Sequence, residues 1–248
     1  MPTPMSTPAL SPTPPALDDL ILRAGRHPDR TPDRICLLEA AAWWAGEPHS
    51  ATPDCVSSVL VFVGHRLNDC LDHDLRQQLR AYVPAMVATR GDGRDTTRAW
   101  AAVNWTTRVD TPAWLRAVGL HDDAAGLRQL APVDNPAAAR AAAGLLRHTE
   151  TRLTAARRDL DVRCGLDGHI WPAVAPASCI SVAAAIGLPS RQLLDVLDAR
   201  DVATRVCANA AVLLAATRPD EYDATVAERH ADAVRAYGVL VDGTTIAR

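Results

Sequence analysis

Apolar residues recur at helical spacing along most of this chain. Thr31-Pro32, Thr111-Pro112 and Asn135-Pro136 read as helix starts, and Gly46, Gly91, Gly119 and Gly165 as stops. The clearest helix opens at Thr31, which can cap it, with Pro32 suited to the first helical position and Asp33 to the positive end of the dipole. From Ile35 to Ala45 its circumference is covered by Leu37, Leu38, Ala40, Ala41, Trp43 and Trp44. A helix apolar all round is buried. Glu39, the one carboxylate between Ile35 and Ala45, then lies in the core or at its edge and calls for an Arg or several hydrogen bonds.

A short turn, Glu47-Pro48-His49-Ser50, leads to a second helix from Asp54 to Leu71 with a core stripe of Val56, Val59, Leu60, Val63, Leu67 and Leu71. Asp72 caps a third helix, which Pro84 kinks and Gly91 ends. Further helices run from Asp95 to Arg108, from Thr111 to Gly119, from His121 as a short segment, and from Asn135 to Cys164. After a loop over 165–177 that holds His169 and Trp171, helices resume from Cys179 to Ile186, Pro189 to Ala216 and Pro219 to Tyr237. Val239 to Val241 is the one segment compatible with a period-two strand. The fold class is all-α, a helical bundle or orthogonal helical array. Residues 17–164 are expected to form a helical domain that holds the Cys36–Cys55 stretch, with 178–248 packed on the same core.

Before these helices, residues 1–16 are rich in Pro, Thr and Ser and read as a disordered tail. A short helix is expected from Leu17 to Arg26. His27-Pro28 breaks it, and His27 reads as a solvated loop histidine.

All 26 basic residues are Arg and the net charge is −3, so a sequence-independent hold on nucleic acid is not expected. The six Cys, at 36, 55, 70, 164, 179 and 207, include no C-x-x-C pair and sit mostly in apolar surroundings, which reads as reduced, buried thiols. With no leader pattern and no apolar run of the about 20 residues a membrane span requires, a cytoplasmic protein without membrane contact is expected. No dinucleotide fingerprint, Walker loop, zincin or nucleophile-elbow motif occurs, so no cofactor or metal is implied.

The candidate chemistry is local. The turn brings Glu47 and His49 near the N-terminus of the second helix, where Glu47 is either a simple cap or, with Glu39 and His49, part of a catalytic site. Arg90, Arg98, Trp105 and Arg108 are candidate binding residues. Trp100, Trp105 and Trp114 interleave with Arg98, Arg108 and Arg116, and so either stack on a flat ligand or fill the core with Arg stems laid over them. His121-Asp122-Asp123 reads as an N-terminal charge cluster rather than a metal site.

The spacing C-x-x-E-A-x-A-x-x-A-G-E-P-x-S-x-x-P-x-C from Cys36 to Cys55 resembles a motif of an uncharacterised group of proteins from actinobacteria and their phages. Asn68-Asp69, Thr89-Arg90 and the segment from Trp105 to Trp114 match its later features, and the similarity ends near Leu120. This chain departs from the group at the turn, where His49-Ser50-Ala51-Thr52-Pro53 stands against Trp-Ser-Asp-His-Pro. That places His49 away from the group's histidine. The resemblance implies no activity.

Two functions fit these observations. One is a helical interaction or accessory protein in which Glu39 and Glu47 pair structurally with Arg90, Arg98 or Arg108. The other is an enzyme or small-molecule-binding protein with a carboxylate/His pocket at the Gly46–Asp54 turn, Glu39 or Glu47 acting as base and His49 as acid or donor.

Overall fold

The structure is a computed structural model that describes residues 13–164, 175, 178 and 180–244. Residues 1–12 of the tail, most of the 165–177 loop with His169 and Trp171, and Cys179 lie outside the described residues. The described residues form an all-α protein without strands, and the only extended pairings among them are two isolated bridges, Leu22 with Ile35 and Thr31 with Arg34.

Those bridges overturn the expected start of the first helix and the expected helix before it. Only a 3-10 turn, Leu17–Asp19, forms there, and the chain then runs extended. Leu20 and Leu22 point into the core at 2% and 0% exposure while Ile21 between them is 36% exposed, the period of a strand. Ile35 is buried beside Leu22, and Arg23 N–H donates to its carbonyl at 2.9 Å. Ile35 is therefore held extended, and α1 (Leu37–Trp44) begins two residues later with Cys36 as its cap. At the far end Gly46, at φ +73°, turns the chain out, and Glu47 N–H closes the helix on Ala42 O at 2.9 Å.

α2 (Ser58–Cys70) starts later than Asp54, because Ser57 N–H is held by Thr89 Oγ1 at 2.9 Å and the 52–57 segment stays a turn. The third helix is in pieces. α3 (His73–Gln78) tightens into a 3-10 turn, and α4 (Val83–Met86) carries Pro84 in its first turn and ends well before Gly91.

α5 (Asp95–Trp105) does not stop at Thr111-Pro112. It passes through a π-turn, Thr106–Asp110, straight into α6 (Thr111–Ala117). Pro112 has no N–H, and its ring crowds the carbonyl four residues back. The wider turn absorbs this, with Thr111 N–H reaching Thr106 O, five residues back, and Thr111 Oγ1 donating to the same oxygen at 2.8 Å.

α7 (His121–Gln129), α8 (Pro136–Cys164), α9 (Ala183–Gly187), α10 (Ser190–Thr217) and α11 (Pro219–Asp242) complete the array. The Val239–Val241 segment is helical, not extended. It is the last turn of α11, whose Tyr237, Leu240 and Val241 enter the core formed by α1, α2 and α4. Tyr237 is fully buried, donates to Leu60 O at 3.1 Å and meets the edge of Tyr82 at 5.9 Å. Gly64 makes that approach feasible, since a Cβ there would lie 2.5 Å from Tyr237 Oη. A second apolar cluster joins α6, α7, α8 and α10, and a third joins α5, α8, α9 and α10. Among the described residues no helix is long and apolar enough to cross a membrane.

Candidate functional site

The polar centre of the Cys36–Cys55 stretch is Glu39, which is 1% exposed. Its Oε2 accepts from Cys36 N–H at 2.8 Å and from His27 Nδ1 at 3.0 Å, and its Oε1 from His27 N–H at 2.8 Å. Cys36 Sγ accepts from Glu39 N–H at 3.4 Å, so the two residues close a capping box. Of the two expected solutions, an Arg or several hydrogen bonds, the fold uses the second, and His27 supplies two of the three donors with its side chain only 9% exposed rather than solvated. Burial alone would raise the Glu39 carboxyl, but the N–H groups of Cys36 and His27 and the His27 ring outweigh it and hold it below the usual carboxylate range. Burial pushes the neighbouring Cys36 thiol up to about 12.

His49 meets the same residue from the other side. Its Nε2–H donates to His27 O at 2.8 Å, which fixes the proton on Nε2, while Nδ1 is enclosed without a partner. Glu47 is not part of this group. Its Oε2 accepts from Asp54 N–H at 2.8 Å, and its carbonyl accepts from Arg30, whose guanidinium lies over Trp43 at 5.6 Å. Burial, then the Glu47 carboxylate, pushes the Cys55 thiol up to about 11. The structure thus links Glu39 and His49 through His27 and leaves Glu47 as a cap on the next turn.

Asn68, Asp69, Thr89 and Arg90 fold back onto the start of the chain and the Cys36–Cys55 stretch. Asn68 Oδ1 accepts from Leu37 N–H at 3.1 Å at the start of α1, its Nδ2 donates to Arg23 O at 2.8 Å, and Asp69 accepts from Gly25 N–H at 2.8 Å. Thr89 holds Ser57, and Arg90 donates to Ser58 Oγ at 2.8 Å and to Asp54 O at 3.2 Å. Each of these contacts fixes a loop or a helix end.

Arg98, a candidate binding residue, is fully buried and engaged. It forks onto Asp92 at 2.6 and 2.8 Å, reaches Asp95 at 3.1 Å and donates from Nε to Leu240 O at 2.9 Å, tying α11 to α5. Trp105 is packed in the first core at 3% exposure, and Trp114 in the second at 0%. Neither is open to stack on a ligand.

Arg108 leads to a different place. It projects from the π-turn into a cleft of about 360 Å³ that it shares with Arg116 of α6, Arg128 of α7, and Glu228, Arg229, Asp232 and Arg235 of α11. Arg229 pairs with Glu228 at 2.6 Å and with Asp232, which also takes Arg235. Arg108 donates to Arg128 O at 3.2 Å. The Nε atoms of Arg108 and Arg229 are enclosed without a partner. Burial, and after it the charges of Arg128 and Arg229, lowers the Arg116 guanidinium from its ordinary value. Arg116 and Arg128 also line an adjoining cavity of about 310 Å³ with His121 and Gln129.

On the π-turn and α6, Thr107 Oγ1, Asp110 Oδ1 and Trp114 Nε1 are likewise enclosed and unmatched. Cys207 Sγ approaches Asp110 Oδ2 at 3.6 Å, and burial pushes the Asp110 carboxyl up to about 7. Arg229 and Arg235 escape sequence reading because α11 supplies them from more than a hundred residues away.

No group of three or more His, Cys, Asp or Glu among the described residues is placed to hold a metal ion. Comparison with protein-family models, with curated proteins and with solved structures gives no match.

Proposed function

We propose that the protein is a helical binding protein for a small acidic ligand, held in the arginine-lined cleft, rather than an acid–base enzyme acting at the Gly46–Asp54 turn. The observation that carries this reading is the convergence of five guanidiniums on one cleft of about 360 Å³, two of them with enclosed, unmatched Nε donors. That volume suits a small-molecule site. An anion would take up guanidinium donors that line the cleft, such as those of Arg116 and Arg128. The turn has less to offer, because three donors already occupy the Glu39 carboxylate. The Cys36 to Cys55 motif supports kinship with the actinobacterial and phage group. The free thiols of Cys36, Cys55, Cys70 and Cys207 support a reducing, cytoplasmic setting.

Thermal melts in sodium sulfate, phosphate and chloride at equal ionic strength test the reading. Sulfate or phosphate at ten times its Kd should raise Tm by about 3 °C over chloride. The double variant Arg116→Gln/Arg128→Gln should lose that increment, which separates site binding from the general effect of sulfate on burial. Equal Tm values in the three salts, or an increment unchanged in the variant, would contradict the proposal. A variant that keeps its sulfate response only with an acidic protein partner present would favour an interaction protein instead.

A further inference from the structure

The cleft's charge balance narrows the ligand further than its acidity alone. Five guanidiniums, from Arg108, Arg116, Arg128, Arg229 and Arg235, face two carboxylates, Glu228 and Asp232, which leaves three positive charges over. Both carboxylates are engaged within α11 by Arg229 and Arg235. Arg116 and Arg128 make no side-chain hydrogen bond or ion pair among the described residues, so their donors face the cleft or solvent. A singly charged carboxylate compensates little of this excess. A phosphoryl group carries about −1.5 to −2 at neutral pH and presents three strong acceptor oxygens to guanidinium donors.

The second observation is Asp110, a carboxyl on the π-turn, 1% exposed, that does not itself line the cleft. The groups that act on it come from two other elements: Cys207 of α10, at 3.6 Å from Oδ2, and Arg229 and Asp232 of α11. Thr111 Oγ1 engages the Cys207 sulfur at 3.4 Å, not Asp110. When ionised, Asp110 competes with any anion in the cleft for the charge of Arg229. When protonated, it leaves that guanidinium to the ligand. Resting on the acidic-ligand reading above, we infer that the cleft takes a dianionic phosphoryl group and holds it with Asp110 protonated, so that anion binding and proton binding reinforce each other. Such coupling is reciprocal, with the anion raising proton affinity as much as the proton raises anion affinity. Burial places the Asp110 carboxyl near neutrality in the unliganded protein, where the coupling acts under ordinary conditions. Asp110 is here a positioning residue that works through Arg229.

Calorimetric titration of the full chain tests both halves. The probes are sodium sulfate, whose charge is constant between about pH 6 and pH 8, sodium phosphate, phenyl phosphate and sodium acetate. Sulfate and phosphate should bind at least about ten-fold more tightly than acetate. Phenyl phosphate beside inorganic phosphate distinguishes a monoester from the free ion, and tight binding of either satisfies the proposal. The sulfate Kd of the wild type should rise about ten-fold from pH 6 to pH 8, as a single site near pH 7 requires when only its protonated form binds. Asp110→Asn should flatten this dependence, and His121→Asn, which removes the histidine of the adjoining cavity, should preserve it.

If Asp110→Asn folds poorly, wild-type titrations at pH 7 in two buffers of different ionisation enthalpy still report the linkage, as uptake of about half a proton per sulfate. Absence of binding by every probe at both pH values overturns the acidic-ligand reading itself. Acetate binding as tightly as sulfate leaves that reading standing and overturns the phosphoryl assignment. Sulfate binding without proton uptake, or with the same pH dependence in Asp110→Asn, overturns the role of Asp110.

Discussion

The turn after α1 and the cleft beside α6 both hold charged side chains against apolar helices, yet they treat their polar atoms differently. At the turn, both Glu39 oxygens accept hydrogen bonds, and the unmatched atoms, Arg30 Nε and His49 Nδ1, lie around it rather than on it. In the cleft lining, Arg108 and Arg229 each leave an enclosed Nε without a partner, and Thr107, Asp110 and Trp114, on the π-turn and α6, each leave one more polar atom unmatched. A folded chain normally matches its buried polar atoms, and three of these exceptions, on Thr107, Arg108 and Asp110, fall on the π-turn, which is what the cleft proposal builds on. The polar residues of the Cys36–Cys55 stretch hold loops and helix ends through Glu39, Glu47 and His49.

Replacing matched charges should cost the most. Arg98→Met removes the fork on Asp92, the contact with Asp95 and the donor to the Leu240 carbonyl, while Arg94 N–H and Ser57 still serve the two carboxylates, and chemical denaturation should show a loss of about 1.5 to 3 kcal/mol. A loss under about 1 kcal/mol would mean that the buried fork matters little and would weaken the contrast with the cleft arginines.

Glu39→Gln should cost roughly 1 to 3 kcal/mol, since an amide cannot accept all three donors without a clash. The pH dependence has a defined sign. A carboxyl held below its unfolded value stabilises fully above the ordinary carboxylate range, and that contribution is lost as pH falls through the lowered value. The acid limb of the wild-type stability curve should therefore be steeper than that of Glu39→Gln. Parallel limbs would remove Glu39 from the account.

Asp110→Asn should act in the opposite direction. A carboxyl raised by burial holds a proton in the fold that the unfolded chain releases, so wild-type stability falls as pH rises toward 7. The variant should gain on the order of 1 to 3 kcal/mol over wild type at pH 8 and little at pH 4. Denaturation curves at the two pH values check this, and an equal offset at both would contradict a buried, protonated Asp110.

Arg116→Gln and Arg128→Gln should barely move stability without ligand, by no more than about 0.5 kcal/mol, because both side chains are exposed and Arg116 loses only the attraction of Glu228. A larger loss, read from urea midpoints, would show that these guanidiniums are structural after all.

Much of the fold was legible because it follows from helical apolar spacing and from residues with one strong local role, such as Gly46 and Asp72. The burial of Glu39 and its need for a partner were legible too. That the partner is His27 was not, since His27 reaches it only when the Leu22–Ile35 bridge folds the bent loop between them back onto the start of α1. The π-turn was hidden because Thr111-Pro112 spells an ordinary helix start, and continuity through it depends on packing against α10. Arg108 and Arg116 stood out beside the tryptophans, but the cleft exists only once α11 brings Arg229 and Arg235 across the array.

The most direct test is a set of thermal melts of wild type, Glu39→Gln and Arg116→Gln/Arg128→Gln, each in chloride and in sulfate at equal ionic strength. Glu39→Gln should melt below wild type in both salts and keep the full sulfate increment, while the arginine variant should match wild type in chloride and lose the increment. If Glu39→Gln melts at or above wild type, or if it is the variant that loses the sulfate increment, the site lies at the turn and the assignment of the cleft is wrong.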